Sequence, residues 1–296
     1  MHSRARREAD ERRASPPDEE PDIFVECFPS RTVIPLLGLA VLLLSVPAQA
    51  QSYLGFDRND YPGDENLRVL RQTFSYTGYW LNNPPGEKTN SWVGRRQTLQ
   101  SAGFGFLVAF NGKLYKELKR DAAGTGQFDG QLAAASAERE GFPRSTIIFL
   151  DIEEGARMLP EQKAYIYAWM DAVTRAGFRA GVYCSGIPAK EGKSTIITAQ
   201  DIRDSAQGRE ITFWATNDVC PPSPGCGFSA PAPSQSGLDF VDVWQFAQSP
   251  RRKDFAAQCR NYNPDWNCYP SGVNPASLHV DVNTATSPDP SHGRTQ

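Results

Sequence analysis

Two carboxylates one residue apart, Asp151 and Glu153, close an apolar run, Ile147-Ile148-Phe149-Leu150. Side chains alternate along a strand, so the two acids share one face and Ile152 takes the other. An acid pair at the end of a buried strand is costly to desolvate, which marks it for chemistry. Glycosidic cleavage needs a proton donor for the leaving oxygen and a second group that stabilises the developing cation. Acids this close leave no room for the water of an inverting reaction. They suit substrate assistance, in which the sugar's own N-acetyl group attacks. Glu153 is then the acid, its pKa raised by burial and by Asp151, while Asp151 orients the acetamido nitrogen and stabilises the intermediate. Asp57, at the end of another strand pattern (YLGFDR), is a further carboxylate for the same place.

The elements that must hold these acids alternate. Strand patterns lie at 53–58, 75–81, 104–110, 147–154, 179–185, 211–216, 240–246 and 278–283. Helical patterns lie at 64–73, with Asp64 as N-cap, and at 91–102, 128–140, 160–176 and 198–206. This alternation predicts an α/β fold with a parallel sheet, a single (β/α)8-like TIM barrel, irregular in its last two connections because those lack helical patterns. In such barrels the site lies at the carboxyl ends of the strands. The ends offer, besides the acids, Tyr183, Ser185, Trp214, Asn217, Trp244, Gln245, His279, Asp281 and Asn283. Acids and amides bond hydroxyls and indole faces stack on sugar rings, so Asp281, Tyr183, Trp214, Trp244, Gln245, Asn217 and Asn283 are the expected substrate-binding set. Alternation lets only one of Trp244 and Gln245 point inward unless a bulge intervenes. Glu154 reads as a surface residue.

Composition narrows the class. Residues 33–46 form an uncharged apolar run followed by Ala48-Gln49-Ala50, the pattern of a signal peptide with its cleavage site at 33–50. The run is too short for a comfortable membrane span, so no stable span is expected after cleavage. Residues 1–32 carry eight acids and six bases, unlike a signal n-region, and read as a disordered extension or a start codon placed too early. Residues 51–286 are the expected barrel domain and 287–296 a polar tail. From residue 51 onward there are 25 Lys+Arg and 26 Asp+Glu, a near balance that argues against nucleic acid as a partner. The expected partner is a glycan, the expected state a monomer, and the expected location secreted or periplasmic. No GxGxxG or GxxxxGK[ST] motif is present, so no cofactor is expected.

Export permits disulfides. Proximity suggests Cys220 with Cys226 and Cys259 with Cys268, leaving Cys184 as a buried thiol. Only His279 is placed to act as a histidine base, which leaves Ser-His-Asp and Cys-His chemistry without support. His279 itself reads as a bonded barrel residue. Two alternatives stay open: a barrel that binds cell-wall glycan without cleaving it, and a metal-dependent hydrolase using Asp57, Asp151, Glu153 and Asp281.

The motifs GFDRND, FLDIEEG, AGVYCSG, TFWATND, VWQFAQS and HVDVNTA occur in this order. That order resembles the family twenty-five glycoside hydrolases, the muramidase-type lysozymes, and more closely the bacterial glycoside-hydrolase-like domain family of unknown function. The resemblance spans about residues 53–285. It implies a groove lined by Asp57, Asp151, Glu153 and Asp281, with Glu153 as acid and an N-acetylated glycan such as peptidoglycan as substrate. Residues 58–85, 217–237 and 249–277 depart from the lysozyme pattern, and these segments would shape the groove.

Overall fold

The computed structural model describes residues 51–118, 120–253, 259–273 and 278–295. The extension and signal segment expected at 1–50 lie outside the described residues. Eight strands close a barrel: β1 (Tyr53–Asp57), β2 (Tyr76–Trp80), β3 (Gly105–Asn111), β4 (Ile147–Asp151), β5 (Arg179–Ser185), β8 (Thr212–Thr216), β9 (Val243–Ala247) and β10 (Asp281–Ala285). Their order around the barrel is β1-β10-β9-β8-β5-β4-β3-β2. A short hairpin of β6 (Ala189–Glu191) and β7 (Ser194–Ile196), absent from the sequence expectation, stands between β5 and the last helix. The helices are α1 (Leu67–Thr73), α2 (Arg96–Ser101), α3 (Ala122–Arg139), α4 (Pro160–Arg175) and α5 (Thr198–Asp204).

The expected α/β barrel is present, with one correction. β10 runs antiparallel to both β1 and β9. It also starts at Asp281, three residues later than its apolar pattern. Asp281 therefore opens its strand, yet it lies opposite Asp57, which closes β1. The reversed direction brings an amino-terminal acid to the mouth that the other strands reach with their carboxyl ends.

Small residues inside the barrel make room for large ones. A Cβ on Gly55 would collide with the Tyr76 ring, and one on Gly78 would lie 2.8 Å from Cβ of Asp57. Asp57 thus sits where β2 has no side chain. Outside the sheet, α3 and α4 pack through glycine: a Cβ on Gly126 would strike the Tyr165 carbonyl, and one on Gly130 would lie 2.6 Å from the Trp169 carbonyl. This contact carries α3 six residues further back than its apolar pattern, to the Asp121 N-cap, which accepts the Gly124 N–H (2.8 Å).

At the opposite end of the barrel, residues 287–295 do not project as a tail. The Ser291 hydroxyl accepts from Val108 N (2.8 Å), its carbonyl accepts from Ile147 N (2.8 Å), and Asp289 accepts from Phe106 N (2.8 Å). The segment fills the gap where β3 and β4 splay, and Ser291 is fully buried.

The disulfides join Cys220 to Cys259 and Cys226 to Cys268, not the near neighbours that proximity suggested. Each bridge ties the loop after β8 to the loop after β9, so spatial adjacency of two long loops overrides nearness in sequence. Cys184 is a buried free thiol on β5.

Candidate active site

Registry fixes which side chains meet. Asp151 of β4 pairs with Tyr183 of β5, Tyr183 with Trp214 of β8, and Asn283 of β10 with Gln245 of β9. The barrel interior at the mouth is therefore lined by Asp57, Asp151, Tyr183, Trp214, Gln245 and Asn283, with Asp281 at the rim.

Gln245 is the hub. Its Nε2 donates to Asp57 Oδ1 (3.0 Å) and Asp281 Oδ2 (3.3 Å), and its Oε1 accepts from the Tyr183 hydroxyl (2.7 Å) and Gln248 Nε2 (3.1 Å). An amide has two donors and two acceptor sites, and all are used. Asn283 extends the network. Its Nδ2 donates to Asp57 Oδ1 (2.7 Å), and its Oδ1 accepts from the Trp214 indole (2.9 Å). The Tyr183 and Trp214 rings pack at a tilt of 59°, with centroids 4.5 Å apart. These bonds to Asp57 favour its ionised form, but burial outweighs them and Glu153 adds like charge, so its pKa is pushed up to about 6.

Asp151 is treated differently. It is 3% exposed, and neither carboxylate oxygen has a donor. Its hydrogen-bond neighbour is Glu153, a bond that requires one of the two to carry a proton. Burial, then the charges of Glu153 and Asp57, hold Asp151 well above the usual carboxylate range. Glu153 reaches solvent but is crowded at the mouth, and this desolvation raises its pKa. The bond to Asp151 and the charge of Arg252 oppose the rise. The two acids thus act on each other's ionisation and form one site. Asp281 is also held well above the usual range by burial, although it accepts from Ser249 N (2.6 Å).

From Glu153 a cleft of about 780 Å³ runs outward between the loops after β2 and β3, past Asn83, Lys113, Leu132 and Arg139. Its wall is fastened by Asn82, which donates to the Asn111 carbonyl (3.0 Å) and accepts from Asn111 N (2.8 Å). A second cleft of about 710 Å³ lies at the other end of the barrel beside α4. There Asp171 and Arg209 already satisfy each other through two hydrogen bonds (2.8 and 2.9 Å).

Two expected residues are not brought to the mouth. Trp244 turns outward, fully buried, and donates to the Asn217 carbonyl (2.9 Å). Asn217 braces the loop after β8 by donating to the Ser236 carbonyl (2.7 Å). A register shift does occur, between Val282 and Asn283 of β10, but it leaves Trp244 on the outer face. His279 lies before β10 and stacks edge-on with Tyr269. Glu154 is not a plain surface residue: it accepts from Tyr115 N (2.7 Å) and Gln162 (2.8 Å), tying the loop after β4 to that after β3. Sequence reasoning missed Arg58, Gln248 and Arg252. Gln248 and Arg58 stand inside quoted motifs, three residues after Gln245 and one after Asp57, which was the available signal. Arg252 lies in an irregular loop and is held by Asp218 through its Nε and Nη2.

Among known families, residues 76–219 match the one described as Rv2525c-like, glycoside hydrolase-like domain. The resemblance read from the motifs holds over this span. The Rv2525c-like span contains Asp151, Glu153, Tyr183 and Trp214; Asp57, Gln245, Asp281 and Asn283 fall outside it and join the site by barrel closure alone. No curated protein matches the chain. Similar solved structures include an uncharacterized B. stearothermophilus protein (20% identity, 79% of this chain and 95% of that one, TM-score 0.48). Another is the Mycobacterium tuberculosis Tat-secreted protein Rv2525c (14% identity, 81% and 97%, TM-score 0.49). A third is the catalytic domain of endolysin ply40 from bacteriophage P40 of Listeria monocytogenes (13% identity, 81% and 95%, TM-score 0.44).

Proposed function

We propose that the protein is an exported glycoside hydrolase that cleaves an N-acetylated glycan such as peptidoglycan with retention, by substrate assistance. The observation that carries this reading is the Asp151–Glu153 pair: a buried carboxyl that no donor reaches, beside a second carboxyl at the solvent edge, both held above the usual carboxylate range. In this reading the two share one proton. An acetamido N–H entering the mouth would supply the donor that Asp151 lacks. Asp151 then becomes the carboxylate and the shared proton moves to Glu153. Glu153 protonates the glycosidic oxygen as the acetamido oxygen attacks the anomeric carbon. Water opens the resulting ring, and Glu153 takes its proton back. Asp57 and Asp281, bridged by Gln245, fix the opposite wall. The match to a glycoside hydrolase-like domain supports the same class. The apolar run with its small-residue site, together with two disulfides, supports export to an oxidising compartment.

The metal-dependent alternative finds no donor set, since among the described residues no three His, Cys, Asp or Glu side chains converge to hold an ion. The test is reducing-end release from purified peptidoglycan by wild type and Glu153→Gln, with and without chelator. Release by wild type alone, indifferent to chelator, is expected. Equal background release with retained binding to wall material would favour a non-catalytic barrel, and loss with chelator a metal enzyme.

A further inference from the structure

Arg252 has no part in the steps above, yet it is fixed beside the acid. Its segment leaves β9 across the mouth and is bonded along the way. Gln248 Nε2 donates to the Tyr183 hydroxyl (3.4 Å) and to Gln245 Oε1 (3.1 Å), Ser249 N donates to Asp281 (2.6 Å), and Arg251 N donates to the Trp266 carbonyl (2.8 Å). The Arg252 guanidinium then meets Asp218 with two nitrogens, Nε (3.1 Å) and Nη2. Asp218 is 3% exposed, and both sulfurs of the Cys220–Cys259 bridge lie 3.7 Å from its carbonyl oxygen. Two bonds to a buried carboxylate on a cross-linked loop hold the cation in one place. The groups around Glu153 are mostly acidic. Asp151 stands on its own strand, Asp57 on β1, Asp281 on β10 and Tyr183 on β5. Lys113 and Glu117 after β3 and Arg139 of α3 line the cleft with it. The positive charge of Arg252 bears on Glu153, whereas Asp218 bears on Asp281 and Tyr262. Glu153 has to give a proton and take it back. Once the proton is given, its carboxylate stands among three other acids, a state that burial and like charge oppose and a fixed cation favours.

We propose that Arg252 is a positioning residue that acts through Glu153: clamped by Asp218, it presents a fixed positive charge that steadies the Glu153 carboxylate at the mouth between the two proton transfers. This rests on the reading of Glu153 as the acid and deepens it.

The test follows the Glu153 carboxyl by NMR in protein labelled with carbon-13 at the glutamate carboxyls, its signal assigned by its loss in Glu153→Gln. Asp218→Asn with Arg252→Gln removes both charges of the clamp and leaves side chains that can still bond each other. The Glu153 midpoint is expected to rise by about half a pH unit or more in this double variant. The alkaline fall of kcat should move up with it. Arg252→Lys keeps the charge without the fork and should recover most of the wild-type midpoint. An unmoved midpoint in the double variant, or an equal rise in Arg252→Lys, would overturn the assignment, because a merely structural pair changes folding stability and not this titration. If the double variant fails to fold, Asp218→Leu with Arg252→Met is read in the same way, since buried ion pairs often tolerate apolar exchange. The titration needs no turnover, so the two readings fail separately. A raised midpoint without hydrolysis by wild type would uphold the hold of Arg252 on Glu153 and sink the hydrolase reading. Hydrolysis by wild type with an unmoved midpoint would do the reverse.

Discussion

At the residue scale, the candidate site rests on how few donors reach its acids. Asp57 has two, both amides, whereas Asp151 has none. Two predictions follow from this contrast. The first concerns stability. Folding raises the Asp57 pKa from 3.8 to about 6. Stability linked to Asp57 is therefore fully present below about pH 4 and is lost as pH rises through 6. Asp57→Asn keeps an oxygen for Gln245 and Asn283 but cannot ionise. Its unfolding free energy should match wild type near pH 4 and exceed it by on the order of 2–3 kcal/mol at pH 7.5, read by urea titration at both values. A gain that does not vary with pH would contradict the assignment. The second concerns the acid. Glu153 must be protonated to act, so activity should fall as pH rises through its raised pKa. Glu153→Gln should lower kcat by about 10²-fold or more at every pH, with the thermal midpoint unchanged within a few degrees. Much of this was legible in sequence: alternation put Asp151 and Glu153 on one face. Alternation could not choose between Trp244 and Gln245, because either fits a strand. Gln245 faces inward to Asp57 and Tyr183, contacts that span distant parts of the chain.

At the element scale, apolar runs located every barrel strand, since a strand covered on both faces must be greasy throughout. The direction of β10 was not legible, because a short strand carries the same pattern either way. The start of α3 was hidden for another reason. Gly124 and Gly126 have poor helix propensity, and only close packing on α4 explains the helix there. Gly126→Ala tests this. On propensity alone it should stabilise by about 1 kcal/mol. With the Tyr165 carbonyl in the way, it should instead destabilise by about 1–3 kcal/mol in a denaturant titration. Stabilisation would mean that the α3–α4 contact is looser than described.

At the scale of the whole molecule, the barrel is closed by strands and its mouth is framed by two loops that the disulfides join. The bridges span 39 and 42 residues. Loop-closure entropy gives each about 4 kcal/mol. Replacing Cys226 and Cys268 by Ser should lower the thermal midpoint. It should also speed hydrogen exchange in 218–268 before β3, β4 and β5, because those strands hold the Phe110, Phe149 and Val182 core independently of the loops. Uniform exchange throughout would show the loops and barrel to be one cooperative unit. The central claim is that one proton shared by Asp151 and Glu153 drives cleavage assisted by the substrate's N-acetyl group. It is tested most directly by following the anomeric configuration of newly released reducing ends by NMR, with wild type acting on purified peptidoglycan. The account predicts the configuration of the broken bond in the first product and no release by Glu153→Gln. Inverted product, or equal release by the two proteins, would contradict it.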